Sequence, residues 1–505
     1  MSKQRPGEDP QHLQALTQDA ERAEAVASRR SKGYRTAREN LHDLCDPDSF
    51  IEYGQLAVAA QRQRRSLDDL RRNTPADGVI TGLATINADL FETPECQVAV
   101  IVYDYSVLAG TQGYYHHQKL DRILEVAERA RLPIVVYTEG GGGRPGDTDV
   151  TTQIAGLNLP TFARWARLAG SVPRIAVNNG YCFAGNAALF GSADLRIATR
   201  SSCIGMAGPA MIEGGGLGRF EPSEIGPIDV QLRNGVVDCV RENEGEATAC
   251  ARQLLGYFQG PLARYEHPDQ STLATLLPAD RRYAYPMRAV IETLADTGSF
   301  VEVTPGFGGA IITGFLRIEG LPIGLLASDC RVLGGAIDAD AAEKAARFLR
   351  LCSSHGLPVL SLCDTPGFMV GPASEERAAV RRMSDLFVAG AQLEVPLVAI
   401  FLRKAYGLGA MAMAGGSFAE PVYAAAWPTG EFGGMGLEGA VRLGFRKELA
   451  AEADPAKRDA LFHSLLGELY EKGRATEAAM HLEIDAVIDP ADTRRHISRA
   501  LAASG

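Results

Sequence analysis

Short apolar runs of strand length alternate along most of this chain with longer segments whose apolar residues recur at helical spacing. Val98–Tyr105 is one strand-like run, and Tyr114–Arg131 follows it with its large aliphatic residues on one helical face. The alternation returns at Pro396–Leu402, which we predict to be a buried strand. Strands that alternate with helices favour α/β layers over an all-helical or sandwich fold.

The order of these segments occurs twice, with a period of roughly 220–230 residues. The matching pairs are GVITGLATIN at Gly78 with AIITGFLRIEG at Ala310, LPIVVYTEGGGGRPG at Leu132 with LPVLSLCDTPGFMVG at Leu357, the strands after Val172-Pro173 and Val395-Pro396, and GMAGPAMIEGGG at Gly205 with GGMGLEGA at Gly433. We therefore predict two versions of one domain.

Each copy contains two glycine-rich turns that follow buried strands. In the second copy, Gly407 and Gly409 open a turn ahead of a helical run, Ala410–Gly415. In the first copy, four glycines stand at Gly140–Gly143, and an AGN turn stands at Ala184–Asn186. A strand, a tight turn and a helix start expose backbone N–H groups to an anion. The alternatives are close-packed turns without a ligand, and a flexible loop for the four glycines.

Three further segments are predicted from local composition. Leu157–Ala169 is expected to be helical, Gln61–Asp77 to be an exposed charged connection, and Gly260–Tyr285 to link the two copies.

Composition excludes several classes of function. The chain has 505 residues and a net charge of −11, which argues against nucleic acid as a partner. The nine cysteines lack C-x-x-C spacing and are expected to be reduced thiols. His116 and His117 have no acidic or thiolate ligands beside them in the sequence, so no metal is predicted. No apolar run approaches the ~20 residues of a membrane span. The protein is expected to be cytoplasmic.

The paired turns could form oxyanion holes, in which N–H donors stabilise charge on a carbonyl oxygen. The sequence shows neither G-x-S-x-G nor H-E-x-x-H, and Asp364 before Pro-Gly is more typical of a turn than of a general base. Such a site would polarise a carbonyl group without a protein nucleophile, and formation of an enolate from a thioester fits that chemistry.

Long motifs then indicate a family. CDTPGF, RKAYG, AWPTGEFGGMGLEGAVRLGFRKE and VIDPADTRR resemble the carboxyltransferase (beta) subunits of biotin-dependent acyl-CoA carboxylases, in the crotonase superfamily. The resemblance runs from Thr36 to the VIDPADTRR segment. EGGGGRPGDTD and GPAMIEGGG look most like the carboxyltransferase part of single-chain long-chain acyl-CoA carboxylases.

The resemblance implies a mechanism. Carboxybiotin on a partner protein releases CO2, the biotin anion takes the α-proton of an acyl-CoA, and the enolate attacks CO2. The implied catalytic amides are those of Gly185 and Asn186 for the thioester enolate, and of Leu408 and Gly409 for the biotin ureido oxygen. The implied binding residues are Gly141, Gly142, Gly143, Arg144 and Met411 for the acyl-CoA, and Gly367 and Phe368 for biotin.

Two positions depart from the family pattern. Gly185-Asn186 replaces Gly-Gly and Leu408-Gly409 replaces Gly-Ala, so the Asn and Leu side chains are expected to narrow the two cavities. Met411 holds the position that helps select acyl length in the family, and an apolar, adaptable residue there suits several acyl groups. Core filling is the alternative role for Met411.

The resemblance also implies an architecture: α/β, with two tandem crotonase-like (ClpP/crotonase spiral) domains. We expect an N-terminal helical extension at 1–35, an acyl-CoA-side domain at 36–265 and a biotin-side domain at 285–505. The implied assembly is a homohexamer with sites between subunits, in fatty acid metabolism, with a partner that supplies biotin carboxylase and the biotin carrier.

Two other functions stay open. The same holes would support a decarboxylase of malonyl-type CoA esters. The altered glycine pairs also allow a non-catalytic assembly subunit of a carboxylase complex.

Overall fold

The computed structural model describes residues 9–92, 95–150 and 156–504. The chain divides into two compact units, Met1–Gly260 and Pro261–Gly505. Among the described residues, no helix combines the length and apolar character needed to cross a bilayer.

The first unit is built from short strands and helices in alternation. Its helices are α1 Pro10–Ala15, α2 Ala23–Ser31, α3 Ala37–Leu44, α4 Leu67–Asn73, α5 Tyr114–Ala130, α6 Thr161–Arg167, α7 Gly185–Gly191, α8 Pro209–Gly214, α9 Ile228–Arg233 and α10 Glu244–Gly256. Its strands are β1 Ile51–Tyr53, β2 Val79–Thr85, β3 Gln97–Tyr103, β4 Ile134–Tyr137, β5 Arg174–Asn178, β6 Tyr181–Phe183, β7 Leu195–Thr199, β8 Cys203–Gly205 and β9 Cys239–Arg241.

The main sheet of the first unit has the order β1-β2-β3-β4-β5-β7-β9. Strands β1, β2 and β3 pair antiparallel, and the strands from β3 to β9 pair parallel. Strands β6 and β8 form a separate parallel pair. Central strands such as β4 are buried along their whole length, as expected for a parallel sheet with helices on its faces.

The second unit repeats this plan. Its helices are α11 Leu273–Leu276, α12 Met287–Leu294, α13 Ala339–Ser354, α14 Pro372–Glu375, α15 Ala379–Ala391, α16 Gly407–Met413, α17 Leu437–Gly444, α18 Arg446–Ala451, α19 Pro455–Lys472, α20 Ala475–Met480 and α21 Thr493–Ala503. Its strands are β10 Val301–Val303, β11 Ile311–Ile318, β12 Leu321–Ser328, β13 Val359–Thr365, β14 Leu397–Tyr406, β15 Tyr423–Ala426, β16 Glu431–Gly433 and β17 Ala486–Val487.

The strand order of the second unit, β10-β11-β12-β13-β14-β15-β17, matches that of the first position by position. Strand β16 pairs with the end of β14, as β8 pairs with β6. All four segment pairs of the sequence repeat fall on equivalent strands, so the predicted repeat is confirmed.

Local signals explain where the principal helices begin and end. Helix α3 starts with a capping box between Thr36 and Glu39, and α13 starts with the carboxylate of Asp338 accepting from Ala341 N. Helix α5 ends at Arg131, which adopts a left-handed conformation. The apolar faces of such helices cover the sheet, as Leu120, Ile123 and Leu124 do in the first core.

Three local predictions are corrected. The segment Gln61–Asp77 is not an exposed connection, because it contains α4 and ends in buried residues that include Asp77. The helix predicted at Leu157–Ala169 is the shorter α6, which begins directly after Pro160. Gly407 and Gly409 lie inside the first turn of α16 rather than ahead of it.

Candidate active site

In the first unit, α7 begins directly after β6, and its first amides have no acceptor inside the helix. Ala184 makes the connection at φ 52° and ψ −119°, a strained conformation for a residue with a Cβ. Helix geometry gives the first-turn N–H groups no intrahelical acceptor. This applies to the N–H groups of Gly185 and Asn186, which are the first two residues of α7.

The four-glycine segment packs against this helix start. Gly140 N donates to Tyr181 O at 2.8 Å, and Phe183 N donates to Gly140 O at 3.0 Å. A Cβ on Gly140 would lie 2.2 Å from Asn186 Nδ2, and a Cβ on Gly142 would lie 2.7 Å from Ala184 Cβ. The glycines are therefore needed for this close approach.

The side chain of Asn186 is turned toward the glycine segment. Its Oδ1 accepts from Gly142 N at 3.0 Å, and its Nδ2 donates to Thr138 O at 3.2 Å. The side chain is fully buried in these contacts, and its expected effect on the cavity stays a prediction.

Arg144 is buried as well, and its guanidinium is committed to protein groups. It pairs with the carboxylate of Asp77 and donates through Nη2 to Thr111 O at 2.8 Å. Burial raises the pKa of Asp77, and the charge of Arg144 opposes that rise. Nδ1 of His116 donates to Asp77 O at 3.1 Å, so this histidine has a packing role. The side chain of Arg144 thus fixes the loop and leaves the loop backbone to meet a ligand.

Gln112 lies at the same helix start and was not identified from the sequence. Its Nε2 donates to the buried Tyr103 hydroxyl at 2.8 Å, and its Oε1 would lie 2.0 Å from a Cβ on Gly185. Its backbone N donates to Gly142 O at 2.7 Å. The residue therefore contacts both the glycine segment and α7.

Glu139, directly before the glycines, is a second residue that sequence reasoning missed. Its carboxylate receives two hydrogen bonds from Arg29 of α2, at 3.0 and 2.7 Å. Burial raises the pKa of Glu139 to about 7, although the guanidinium of Arg29 opposes that rise. Its position between an apolar strand and four glycines was the sequence signal that could have identified it.

In the second unit, α16 begins directly after β14, with Gly407 at φ 58°. The segment Gly367–Phe368 lies against this helix start, because a Cβ on Gly409 would lie 2.7 Å from Gly367 Cα and 2.9 Å from Phe368 N. The N–H groups of Leu408 and Gly409 lie in the first turn of α16, where helix geometry provides no acceptor inside the helix.

A cleft of about 560 Å³ opens beside α16. Met411, Phe418 and Phe432 form its apolar wall, and Lys472 and His481 contribute polar groups. Leu408 does not line this cleft, and the residue is 61% exposed, so its expected effect on the cavity at the Leu408 and Gly409 amides stays a prediction.

Asp364 is not a turn residue. It lies within β13, fully buried, and its carboxylate pairs with Arg403 at 3.0 Å and accepts from Lys404 N at 3.1 Å. This network fixes the end of β14 from which α16 starts. Among residues 9–92, 95–150 and 156–504, no group of three or more His, Cys, Asp or Glu residues is placed to hold a metal.

Comparison with known proteins identifies the family of this chain. The model of the carboxyl transferase domain matches residues 28–504. The chain belongs to the carboxyl transferase domain family. It is 32% identical to the methylmalonyl-CoA carboxyltransferase 12S subunit of Propionibacterium freudenreichii subsp. shermanii over 489 residues, which cover 94% of this chain and 90% of that subunit. It is 30% identical to the propionyl-CoA carboxylase beta chain of Saccharopolyspora erythraea over 501 residues, covering 94% and 89%.

Solved structures agree with this membership. A single-chain, multi-domain long-chain acyl-CoA carboxylase has 54% identity and a TM-score of 0.93, covering 99% of this chain and 49% of that one. The chain therefore spans about half the length of that protein. The transcarboxylase 12S hexamer has 29% identity and a TM-score of 0.85, covering 100% and 96%.

The predicted family and the crotonase-like α/β fold with two domains are confirmed, as is the class of enzyme, an acyl-CoA carboxylase carboxyltransferase. The domain bounds and the roles assigned to individual residues stay predictions.

Proposed function

We propose that the chain is a carboxyltransferase component that moves a carboxyl group from carboxybiotin, carried on a partner protein, to the α-carbon of an acyl-CoA. One observation carries the proposal. In each unit of a chain from this family, a helix begins directly after a strand and packs against a glycine-containing segment, and its first amides have no acceptor inside the helix.

The first unit takes the acyl-CoA. The amides of Gly185 and Asn186 donate to the thioester oxygen, and these hydrogen bonds strengthen as the enolate forms. The backbone of Gly141–Gly143 lines the acyl-CoA, and Arg144 fixes that segment through Asp77. Loss of one such donor in other enzymes lowers kcat by about 10²–10³.

The second unit takes the biotin. Because Gly409 has no side chain, the backbone of Gly367 and Phe368 approaches the start of α16 directly, and this brings the residues assigned to biotin beside the amides of α16. The amides of Leu408 and Gly409 donate to the ureido oxygen. Carboxybiotin, when bound, supplies the carboxyl group and the acceptor for the α-proton. The chain's own part is to hold both oxyanions and to orient the acyl α-carbon.

The acyl group is selected beside Met411, whose side chain borders the cleft with Phe418 and Phe432. The likeness to a long-chain acyl-CoA carboxylase supports a role in fatty acid metabolism and in the cytoplasm. The likeness to a 12S hexamer supports a homohexamer. Partners that supply biotin carboxylase and the biotin carrier complete the proposed enzyme.

The test mixes the full chain with free biotin and malonyl-, methylmalonyl- or longer carboxyacyl-CoA, and follows loss of the carboxyl group by mass spectrometry. Loss that depends on biotin is the expected result and ranks the acyl groups. Loss without biotin would favour a decarboxylase, and a methylmalonyl-CoA decarboxylase subunit of Veillonella parvula is 29% identical to this chain. Binding without turnover, also with a biotin-bearing partner, would indicate a non-catalytic assembly subunit.

A further inference from the structure

Helix α2 joins the first unit through a buried charge. The helix is mainly polar, and the residue that it buries is Arg29. It begins at Ala23, ahead of residue 28, where the family match starts. A buried arginine needs a buried carboxylate as its partner, because an unpaired buried charge is strongly unfavourable.

Arg29 pairs with Glu139 through both of its terminal nitrogens. Nη1 donates to Glu139 Oε1 at 3.0 Å and Nη2 donates to Glu139 Oε2 at 2.7 Å. The guanidinium also lies 4.8 Å from the ring centroid of Tyr34 and 5.5 Å from that of Tyr105. This geometry is specific to arginine, since lysine lacks the planar fork.

A second carboxylate lies near the guanidinium. Glu244 Oε1 is 3.9 Å from Arg29 Nη2 and accepts from Asn179 Nδ2 at 2.8 Å. Glu139 packs against the next residue, Gly180, where a Cβ would lie 2.7 Å from Oε1. One carboxylate therefore precedes the four glycines, and both contact the connection that leads from β5 toward α7.

Without Arg29, the two carboxylates would be left buried and close together, with the repulsion between them uncompensated. Protonation of Glu139 relieves that repulsion, but it does not replace the two hydrogen bonds from Arg29 that fix the residue before the glycine segment. The glycine segment and the connection to Gly185, which in the proposed function define the position of the thioester oxygen, would then be less firmly held together.

We propose that Arg29 is a positioning residue, which holds the glycine segment Gly140–Gly143 against the start of α7 by pairing with Glu139 from the N-terminal helix. The proposal rests on the proposed function, which places the thioester oxygen at the amides of Gly185 and Asn186. Arg29 itself touches no substrate in this scheme.

The test measures transfer from methylmalonyl-CoA to free biotin by the full-length chain and its variants, below their melting temperatures. Arg29→Met is expected to lower kcat at least tenfold with a smaller change in KM, since the lost alignment matters most in the transition state. Arg29→Met combined with Glu139→Gln removes the unpaired charge and is expected to recover activity above the single variant. Arg30→Met is the matched control, because that neighbouring side chain is 63% exposed and pairs with Glu39 at the surface.

A folded Arg29→Met variant with native kcat and KM would overturn the proposal, as would a double variant no more active than the single one. If Arg29→Met does not fold, Arg29→Lys is tested instead, because it keeps the positive charge and loses the planar two-nitrogen contact. It is expected to lower kcat several-fold, and native kcat in that variant would also overturn the proposal. A wild-type chain that is inactive also with a biotin-bearing partner would instead overturn the proposed function, and this inference with it.

Discussion

The carboxamide of Asn186, at the start of one helix, accepts the backbone N–H of Gly142, at the end of a separate strand, over 3.0 Å. The hydrogen bond is fully buried, so its loss would leave an amide without water or another partner. Asn186→Ala is expected to lower the free energy of unfolding by about 1–3 kcal/mol. Thermal or denaturant unfolding measures the change.

The control for this prediction is Asn234→Ala, at an exposed helix end, which is expected to change stability by less than about 0.5 kcal/mol. Equal stability of the two variants would mean that the Asn186 side chain does not fix the glycine segment. Because the substitution leaves the Asn186 backbone amide in place, activity should fall less than it would on loss of an oxyanion donor, by under about 10²-fold.

Gly409 is expected to tolerate no side chain. A Cβ there would lie 2.7 Å from Gly367 Cα, so Gly409→Ala must displace the segment that we assign to biotin. The expected result is a rise of about tenfold or more in KM for free biotin, with acyl-CoA binding retained, because about 1.4 kcal/mol of lost binding is tenfold. Steady-state kinetics with biotin as the varied substrate measures it.

Gly467→Ala is the matched control for Gly409→Ala. Gly467 lies within α19, and a Cβ there would meet nothing within 4 Å. Alanine in a helix interior is favoured over glycine by about 0.8–1.0 kcal/mol, so this variant should keep its activity and gain stability. Native KM for biotin in Gly409→Ala would place the biotin site elsewhere.

The sequence predicted those features of the fold that depend on neighbouring residues. Apolar strands between glycines and prolines predicted the order of β2, β4 and β5 and of their counterparts in the second unit. The repeat then fixed the two-domain plan, because each strand pair is an independent match in the same order.

Contacts between distant residues could not be read in this way. Arg29 and Glu139 are 110 residues apart, and nothing near Arg29 indicates that its charge is buried. Asp77 looked like part of an exposed, charged connection for the same reason, until its pairing with Arg144 placed it inside. The strained φ of Ala184 was also invisible, since alanine gives no sign of a turn.

Met411 is expected to influence the choice of acyl group. Its side chain forms part of the wall of the cleft beside α16, and Met411→Ala would widen that wall. The variant should shift the ratio of kcat/KM values toward the bulkier of two acyl groups by about tenfold, because one methylene in an apolar pocket is worth about 1–3 kcal/mol. Competition between two carboxyacyl-CoA substrates measures the ratio.

The control for Met411 is Met480→Ala, because Met480 is 67% exposed at the end of α20. That variant should leave the ratio unchanged. If Met411→Ala does so as well, Met411 fills space without selecting the acyl group.

A buried lysine occupies the sixth position of α5 and of α13, the equivalent helices of the two units. Lys119 Nζ donates to Ala76 O at 2.8 Å, and Lys344 Nζ donates to Thr304 O at 3.3 Å. Both acceptors belong to residues with positive φ, at 53° and 56°. Each lysine therefore stabilises the same irregular turn in its own unit.

These lysines predict a dependence of stability on pH. Burial lowers the pKa of Lys119 and of Lys344 to about 8, below the value of about 10.4 in an unfolded chain. Between these values the native state holds fewer protons than the unfolded state, so stability rises with pH, by at most about 1.4 kcal/mol per pH unit for each lysine. The contribution is complete above pH 10.4 and is lost as the pH falls through 8.

Lys119→Met removes this contribution, so the stability of the wild type relative to the variant should increase from pH 8 to pH 10. Denaturant unfolding at pH 8, 9 and 10 measures that difference, in which the other titrating groups cancel. Lys457→Met, at an exposed position of α19, should give a difference that is constant with pH. A constant difference for Lys119→Met would mean that burial does not lower the pKa of Lys119.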